Sequence, residues 1–525
     1  MNRRPLILTS LLLAAFAINL DTTIVNVALP TLVRELHSSN SQLQWIVDAY
    51  NLVFASLILA AGSLSDRVGR KGTLLAGLAL FGTASLAGGF ASSSVGLIVA
   101  RCVMGLGAAL VFPSTLSLIS NVFTERAERA RAIGLWGATA GMAIALGPIF
   151  GGWLLGRFAW SSIFFAMAPV ALLGGLLVAR FVPTSRDPSA PRADRPGLVL
   201  STAAMGLLVY TIIEAPAAGW GSVRTLAGLA GAGALAVGFF VRERSTSEPM
   251  LDLDLFRNPR FTAACAAVTV SFFTLFGFIF LITQYFQFIK GYDPLSAGVH
   301  LLPVATSVGV ASVLGTRAAV RFGTKLVVSA GLVLVSAFYL WVATTSASTT
   351  YLTIAMQMVV YGVGMGLTSA PATEAIMGVV PRAKAGVGSA VNDATRLLGG
   401  TLGVAVIGSV YASVYASRLA AKLPARVPHR VAGAAEASVG AALVTAQQLA
   451  VSGHAALAGL LHTGASDAFM QGLRTGCLVA GGVALAGAAL AAARLPAQPL
   501  QQQELAPESP APVELCAGQL VVEEA

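Results

Sequence analysis

Two charged side chains lie inside apolar segments that are long enough to cross a membrane. Asp21 lies in the first such segment and Arg101 in the fourth. An unpaired charge in the ~30 Å hydrocarbon core costs at least a few kcal/mol, so charges kept there usually have a function. At 1.5 Å per residue, the two lie roughly 12 and 9 Å below the same membrane surface, which allows them to pair.

The chemistry expected of this pair is proton exchange. Burial favours a neutral carboxylic acid and a nearby guanidinium favours its carboxylate, so the two effects compete at Asp21. We therefore predict that Asp21 carries a proton and that Arg101 modulates it; the alternative is a static structural ion pair. Asn26, about one helical turn away, is predicted to complete the polar cluster and to line a substrate cavity. Glu374 is a second proton-coupling candidate, unless it extends to the membrane surface.

Four other charged residues have simpler expectations. Asp48 follows Trp45 near the outer end of the second segment and is predicted to lie at the membrane surface. Glu214 precedes Pro216 and is predicted to lie at the interface as well. Asp393 and Arg396 are three residues apart on one helix, a spacing at which opposite charges neutralise each other.

A row of large side chains follows one face of the ninth segment. Residues four apart share a helix face, and four such positions here are Phe272, Phe276, Phe280 and Gln284. This row is a candidate wall for a flat lipophilic substrate. Exposure to lipid is the alternative explanation for the aromatic residues.

The composition is that of a membrane protein. Of 525 residues, 56% are hydrophobic and 11% charged, whereas soluble domains carry about 25% charged residues. The net charge of +10 comes mainly from Lys and Arg in loops on one side, as expected of cytoplasmic loops, and not from a nucleic-acid-binding face. The four cysteines are scattered without the spacing of a metal site.

The apolar pattern predicts an all-α integral membrane protein with fourteen transmembrane helices and both termini in the cytoplasm. The predicted helices span 7–29, 45–64, 73–91, 95–118, 132–155, 160–181, 197–215, 223–241, 262–285, 295–315, 325–344, 350–373, 387–412 and 470–493. The predicted units are a six-helix bundle (1–181), a linker with inserted helices 7 and 8 (182–260), a second six-helix bundle (261–494) with a long outer loop (413–469), and a disordered tail (495–525).

An internal repeat relates the two bundles. The loop at residues 66–71 aligns with 320–325, and Gly105-Leu-Gly107 followed by Pro113 is echoed by Gly364-Met-Gly366 followed by Pro371. Transporters are often built from two related halves, with the substrate site between them. The repeat therefore predicts pseudo-symmetric bundles and favours a transporter over a membrane scaffold or receptor.

Four segments resemble the motifs of a known family. The loop motif contains Gly62, Asp66, Arg67, Gly69, Arg70 and Lys71. The helix-4 motif occupies 97–109, the helix-5 antiporter motif (141–152) contains Gly147, Pro148, Gly151 and Gly152, and the helix-1 motif occupies 20–30. Together they resemble the major facilitator superfamily, in particular its fourteen-helix drug/proton antiporter branch, the EmrB/QacA-type multidrug exporters.

The resemblance implies a proton-coupled antiporter that exports lipophilic drugs by alternating access. The loop and helix-5 residues would control conformation. From the residues themselves, Gly62 and Gly69 are expected to permit a tight turn and a close helix approach, and the spacing of Gly137, Gly141, Gly147 and Gly151 predicts backbone-to-backbone packing of helix 5. Neither a cofactor nor a metal is expected. The implied partners are protons, the lipid bilayer of the cytoplasmic membrane and a small lipophilic substrate, cations included; a monomer is expected. A dedicated exporter of one natural product shares every motif, and a nutrient symporter conflicts with the helix-5 motif. The sequence contains no GxxxxGKS/T loop, HExxH or GxSxG motif, which gives no support to ATP-driven transport or an enzyme.

Overall fold

The computed structural model describes residues 4–186, 194–246, 249–380, 385–423 and 429–496. These residues form helices joined by short loops, and fourteen of the helices are long and apolar enough to cross a membrane. The predicted number of membrane helices is therefore confirmed for the part of the chain that is described. The predicted tail lies outside the described residues from 497 onwards.

The first half contains helices α1 to α6, which are Arg4–Leu36, Asn40–Val68, Arg70–Gly89, Ser94–Val122, Arg126–Leu155 and Ser162–Phe181. An inserted pair follows, α7 (Arg195–Ala218) and α8 (Val223–Ser245). The second half contains α9 to α14, which are Pro259–Gln284, Pro294–Val299, Leu302–Phe322, Thr324–Val342, Tyr351–Val379 and Ala385–Ala420. Three helices complete the chain, α15 (His429–Ala437), α16 (Val439–Val451) and α17 (Ala455–Arg494). Short α10 and α11 together form one membrane span, and a π-helical turn, Tyr285–Ile289, extends α9.

Glycine contacts show that the two halves are built alike. Gly107 of α4 packs against the backbone of Gly77 in α3, and Gly364 of α13 packs against Gly331 in α12. Gly107 therefore corresponds to Gly364, so the alignment of the repeat in this helix is shifted by two residues from the one expected. The loop repeat has a glycine with a positive φ angle in both halves, 135° at Gly69 and 88° at Gly323.

The inserted pair packs along the line where the two halves meet. Val209 and Ile213 of α7 form a small apolar cluster with Leu52 of α2 and Ala405 of α14. Each half thus contributes one helix to the surface that holds α7.

The long outer segment is more helical than expected. The sequence predicts an alanine-rich outer loop over 413–469 with room for one amphipathic helix, but α14 continues to Ala420, α17 begins at Ala455, and α15 and α16 lie between them. The alanine-rich composition explains this result, because alanine has the highest helix propensity. Gly440 of α16 lies against Val33 of α1 and Phe288 of the π-helical turn. Helix α16 therefore covers a junction between the halves on the face opposite the N-terminus.

Candidate transport cavity and charged sites

A cavity of about 300 Å³ lies between the two halves. Helices α1, α2, α4 and α5 line one side, and α9, α11, α13 and α14 line the other. Its wall is mainly apolar, and its aromatic residues are Phe54, Phe112, Trp136, Phe272, Phe276 and Phe278. A site of this size and polarity suits a small lipophilic ligand.

Two glycines of the helix-5 motif region widen this cavity. Gly137 and Gly141 line it, and a Cβ atom added at either would meet nothing within 4 Å. The expectation that they pack helix against helix is wrong for these two positions. Their lack of a side chain instead leaves room for a ligand beside α5.

One ion pair faces the cavity. Asp393 Oδ1 lies 3.9 Å from an Arg396 guanidinium nitrogen, and both residues belong to the lining. The guanidinium also lies 5.2 Å from the Phe272 ring centroid and donates a 3.3 Å hydrogen bond to Thr373 Oγ1. The sequence predicted the pairing but not its position in the cavity wall. Because the pair is long, a charged ligand can compete for either partner.

Asp21 and Arg101 form an ion pair inside the first half and are absent from the cavity lining. Both side chains are fully buried. Arg101 Nε donates to Ile46 O at 2.9 Å, and its guanidinium lies 4.3 Å from the Tyr50 ring centroid. The pair leaves Asp21 Oδ1 and one Arg101 terminal nitrogen without a hydrogen-bond partner. Thr22, the residue after Asp21, does line the cavity. The ion pair therefore lies next to the cavity wall but outside the cavity.

Asp48 is a second fully buried acid, which corrects the prediction that it lies at the membrane surface. Neither of its carboxyl oxygens has a hydrogen-bond partner. Gln44, one turn earlier, accepts a 3.2 Å hydrogen bond from Ser409 of α14. The prediction failed because α14 packs over the face of α2 that carries Gln44 and Asp48, near the beginning of α2.

The remaining intramembrane acids lie away from the cavity. Glu374 is exposed near the end of α13, and Glu214 is half-buried near the end of α7; neither belongs to the cavity lining. The proton-coupling role of Glu374 stays a prediction.

The predicted substrate residues divide into two groups. Phe272 and Phe276 line the cavity, while Asn26, Phe280 and Gln284 are absent from its lining. All five are buried within the protein, so exposure to lipid does not explain them. The cavity stops before the last three because α1 meets α9 there: Gln287 Nε2 donates to Val27 O at 2.9 Å.

The later glycines of the helix-5 motif make the tight contacts that the earlier ones lack. A Cβ atom on Gly147 would lie 3.1 Å from Leu20 O, and one on Gly151 would lie 3.0 Å from Ile24 O, both in α1. Gly152 faces the other half, where a Cβ atom would lie 2.7 Å from Leu295 of α10.

Helix α10 contacts the motif in return and has a strong cap at its start. Gly298 lies against the backbone of Pro148. Asp293 caps α10 by accepting hydrogen bonds from Ser296 Oγ and from the backbone N–H groups of Leu295 and Ser296. These bonds, first that from the Ser296 side chain, lower the pKa of Asp293. The motif thus joins α1 to the second half on the face opposite the N-terminus.

The loop motif is a network of hydrogen bonds within the first half. Asp66 accepts from Arg70 Nε at 2.6 Å and from Ser117 Oγ of α4 at 2.7 Å. Arg70 also donates to Ser185 Oγ at 2.8 Å, and Lys71 Nζ donates to Ala179 O of α6 at 2.8 Å. The network ties the α2–α3 loop to the ends of α4 and α6.

Not every residue of the loop motif takes part. Arg67 is exposed. Gly69 needs to be glycine because of its positive φ, but a Cβ atom on Gly62 would meet Pro113 at an ordinary 3.6 Å. The expected close helix approach at Gly62 is therefore absent.

Comparison with known proteins identifies the family. The sequence profile of the Major Facilitator Superfamily matches residues 11–404, and the chain belongs to this family. It is therefore a multi-pass membrane transporter and not an enzyme.

Several relatives of the chain have names that concern drug resistance. The chain is 38% identical to multidrug resistance protein Stp of Mycobacterium tuberculosis over 412 residues, covering 78% of this chain and 76% of Stp. It is 36% identical to the multidrug efflux pump LfrA of Mycolicibacterium smegmatis, covering 91% and 94% of the two chains. The methylenomycin A resistance protein of Streptomyces coelicolor is 37% identical, with 74% and 82% covered.

Solved structures support the fold. A bacterial homologue of the human lysosomal transporter Spinster, in an inward-facing and occupied conformation, superposes with a TM-score of 0.66 at 16% identity. The comparison covers 94% of this chain and 96% of that one. A D-xylose–proton symporter superposes with a TM-score of 0.57 at 13% identity, covering 94% and 98%.

Proposed function

We propose that this protein is a proton-coupled antiporter that exports small lipophilic compounds from the cytoplasm by alternating access. The observation that carries the proposal is the apolar cavity between the halves, which contains one ion pair and is closed on the face opposite the N-terminus. The relatives named for multidrug resistance and efflux support the same function.

The positions of the basic residues support one orientation of the protein in the membrane. Arg67, Arg70 and Lys71 lie in the loop after α2, on the face where α1 begins. Because basic loops stay on the cytoplasmic side, we place this face and both termini in the cytoplasm. The cavity then takes substrate from the cytoplasm or the inner leaflet of the membrane.

Different groups would bind substrate and proton. The aromatic walls would bind the lipophilic body of the substrate, and Asp393 would attract a cationic group while Arg396 rests on Phe272. Asp21, paired with Arg101 behind the wall, would take up and release the proton. Gly147 packs against α1 within four residues of Asp21. A change in the Asp21–Arg101 ion pair can therefore alter the contact between α1 and the helix-5 motif directly.

A dedicated exporter of one natural product is the second candidate. The chain is about as similar to the methylenomycin A resistance protein, 37% identical, as to the multidrug resistance protein Stp, 38% identical. The substrate range separates the two candidates.

The test is a drug panel in a sensitive bacterium that lacks its own exporters. We expect the wild-type protein to lower the accumulation of several unrelated lipophilic compounds and to lose this effect when an uncoupler is added. Asp393→Asn should weaken export of cationic compounds about ten-fold more than export of neutral ones, the loss expected when one charged contact worth about 1.4 kcal/mol disappears. Asp467→Asn, which removes an exposed carboxylate paired with Lys422, is the matched control.

Export of a single compound would favour the dedicated exporter. Export of none, or export that survives the uncoupler, would contradict the proposal. An Asp393→Asn protein that behaves like Asp467→Asn would remove Asp393 from substrate binding.

A further inference from the structure

The cavity ends where two of its helices close on each other. On α1, Asn19 and Thr22 line the cavity, and Asn26 is the next residue on the same face because residues three and four apart are neighbours. On α9, Ile279 lines the cavity, and Gln287 lies about two turns further along, in the π-helical turn that extends α9. The lining faces of both helices therefore continue past the cavity into the junction.

Gln287 makes a contact across this junction, and Asn26 and Gln284 lie on the continuing lining faces of α1 and α9; we call Asn26, Gln284 and Gln287 the junction amides. All three residues are buried. Gln287 joins the halves through its 2.9 Å hydrogen bond to Val27 O, the residue after Asn26, and Gln284 lies one turn before it.

The orientation of the other two amides is set by their own helices. Asn26 Nδ2 donates to Thr22 O at 3.3 Å, and Gln284 Nε2 donates to Phe280 O at 3.0 Å. A backbone carbonyl only accepts hydrogen bonds, so the nitrogen of each amide must face it.

All three amides have an unsatisfied side-chain oxygen. The side-chain oxygens of Asn26, Gln284 and Gln287 are buried and have no hydrogen-bond partner. A buried acceptor left without a donor loses its hydration and gains nothing in return. Because every unsatisfied atom is an acceptor, the matching partner carries N–H or O–H donors.

We propose that the junction amides form a second substrate-binding site, exposed when the outer side opens, for lipophilic compounds that carry N–H or O–H groups. This proposal rests on the export function and adds the class of substrate that the outer half of the pathway selects. When α1 and α9 separate, the unsatisfied oxygens face the open pathway beyond the cavity and accept hydrogen bonds from the passing substrate.

The test compares two lipophilic cations that differ in donors. Ethidium carries two aromatic amino groups, whereas tetraphenylphosphonium carries no N–H or O–H. The full-length protein is reconstituted in proteoliposomes of known orientation. Each cation is added on the face opposite the N-terminus, and its half-inhibitory concentration is measured for the transport of a labelled lipophilic substrate. Gln284→Met and Asn26→Leu remove an acceptor while leaving the Gln287 hydrogen bond in place. Gln448→Met, an exposed residue of α16, is the matched control.

We expect the half-inhibitory concentration of ethidium to rise about five-fold in both junction variants, the effect of one lost hydrogen bond, and that of tetraphenylphosphonium to stay unchanged. Gln448→Met should match the wild type for both cations. An equal rise for both cations, or no rise for ethidium, in variants with wild-type thermal stability would overturn the proposal. Wild-type protein that transports neither cation would instead count against the export function itself.

Discussion

At the scale of single residues, the Asp21–Arg101 pair removes two opposite charges completely from water. Both side chains are fully buried between α1, α2 and α4, and each retains one atom without a hydrogen-bond partner. Two charges removed from water recover their desolvation cost only when they are well paired. Changing either partner should therefore affect stability and transport together, and a double-mutant cycle separates the two effects.

Asp21→Asn should destabilise the protein by about 3–5 kcal/mol, because it leaves the Arg101 charge buried and unpaired. The double variant Asp21→Asn/Arg101→Met should recover part of this loss, since no unpaired charge then remains. Both variants should lose efflux driven by a pH gradient. Thermal unfolding in detergent measures the stabilities, and substrate efflux from cells measures transport. A folded Asp21→Asn protein with normal efflux would remove Asp21 from proton coupling and direct attention to Glu374.

The sequence predicted some of these residues better than others, for a physical reason. The depths of Asp21 and Arg101 follow from counting residues along their helices, and they are paired in the structure. Whether Asp48 faces lipid or α14 depends on the rotation of α2 about its own axis, which residue counting does not give. The same limitation hid the fact that Asp393 and Arg396 face the cavity.

At the scale of elements, α5 has two kinds of glycine on one helix. Gly137 and Gly141 leave space in the cavity, whereas Gly147 and Gly151 bring α5 against the backbone of α1. The sequence predicted one packing role for all four, because a spacing of small residues does not say what lies opposite each one. The number of membrane helices, in contrast, follows from apolar segment length alone.

Gly147→Ala and Gly141→Ala make the same chemical change at these two sites, and we expect different results. At Gly147 the added methyl group would overlap α1, so α5 and α1 should move apart and transport should fall at least ten-fold, while substrate binding in the cavity stays nearly unchanged. At Gly141 the methyl group has space, so folding and turnover should persist and only the affinity for large substrates should fall. Calorimetry in detergent measures binding, and proteoliposomes measure transport. Equal effects of the two substitutions would contradict the assignment of separate roles to the two glycine pairs.

At the scale of the whole molecule, the two halves meet on the face opposite the N-terminus and enclose the cavity below it. The contacts that close this face include Gln287 with Val27, Gly152 with Leu295, and Gln44 with Ser409. Helix α7 packs across the same line between α2 and α14. In the proposed alternating-access cycle, these contacts break when the outer side opens, while contacts form near the N-terminal face. The pair α7–α8 must then follow one half or slide between the two.

The sequence repeat predicted the two halves, but it does not predict which side is closed. Both conformations of an alternating transporter come from one sequence, and the difference between them lies in packing energies of a few kcal/mol. The repeat also gave the wrong register in α4 and α13, since Gly107 matches Gly364 in its contacts and not Gly366. Equivalent helix–helix contacts identify the register of the repeat better than matching residue types in the sequence do.

The most direct test of proton-coupled export measures proton and substrate flux in the same proteoliposomes. With an outward-directed ethidium gradient and no initial pH difference, wild-type protein should move protons in the opposite direction to ethidium. Asp21→Asn should abolish the proton flux, and an uncoupler should dissipate the pH difference that develops. Ethidium transport by wild-type protein without any proton counter-flux, or ATP-driven transport with the pH gradient collapsed, would contradict the proposed mechanism.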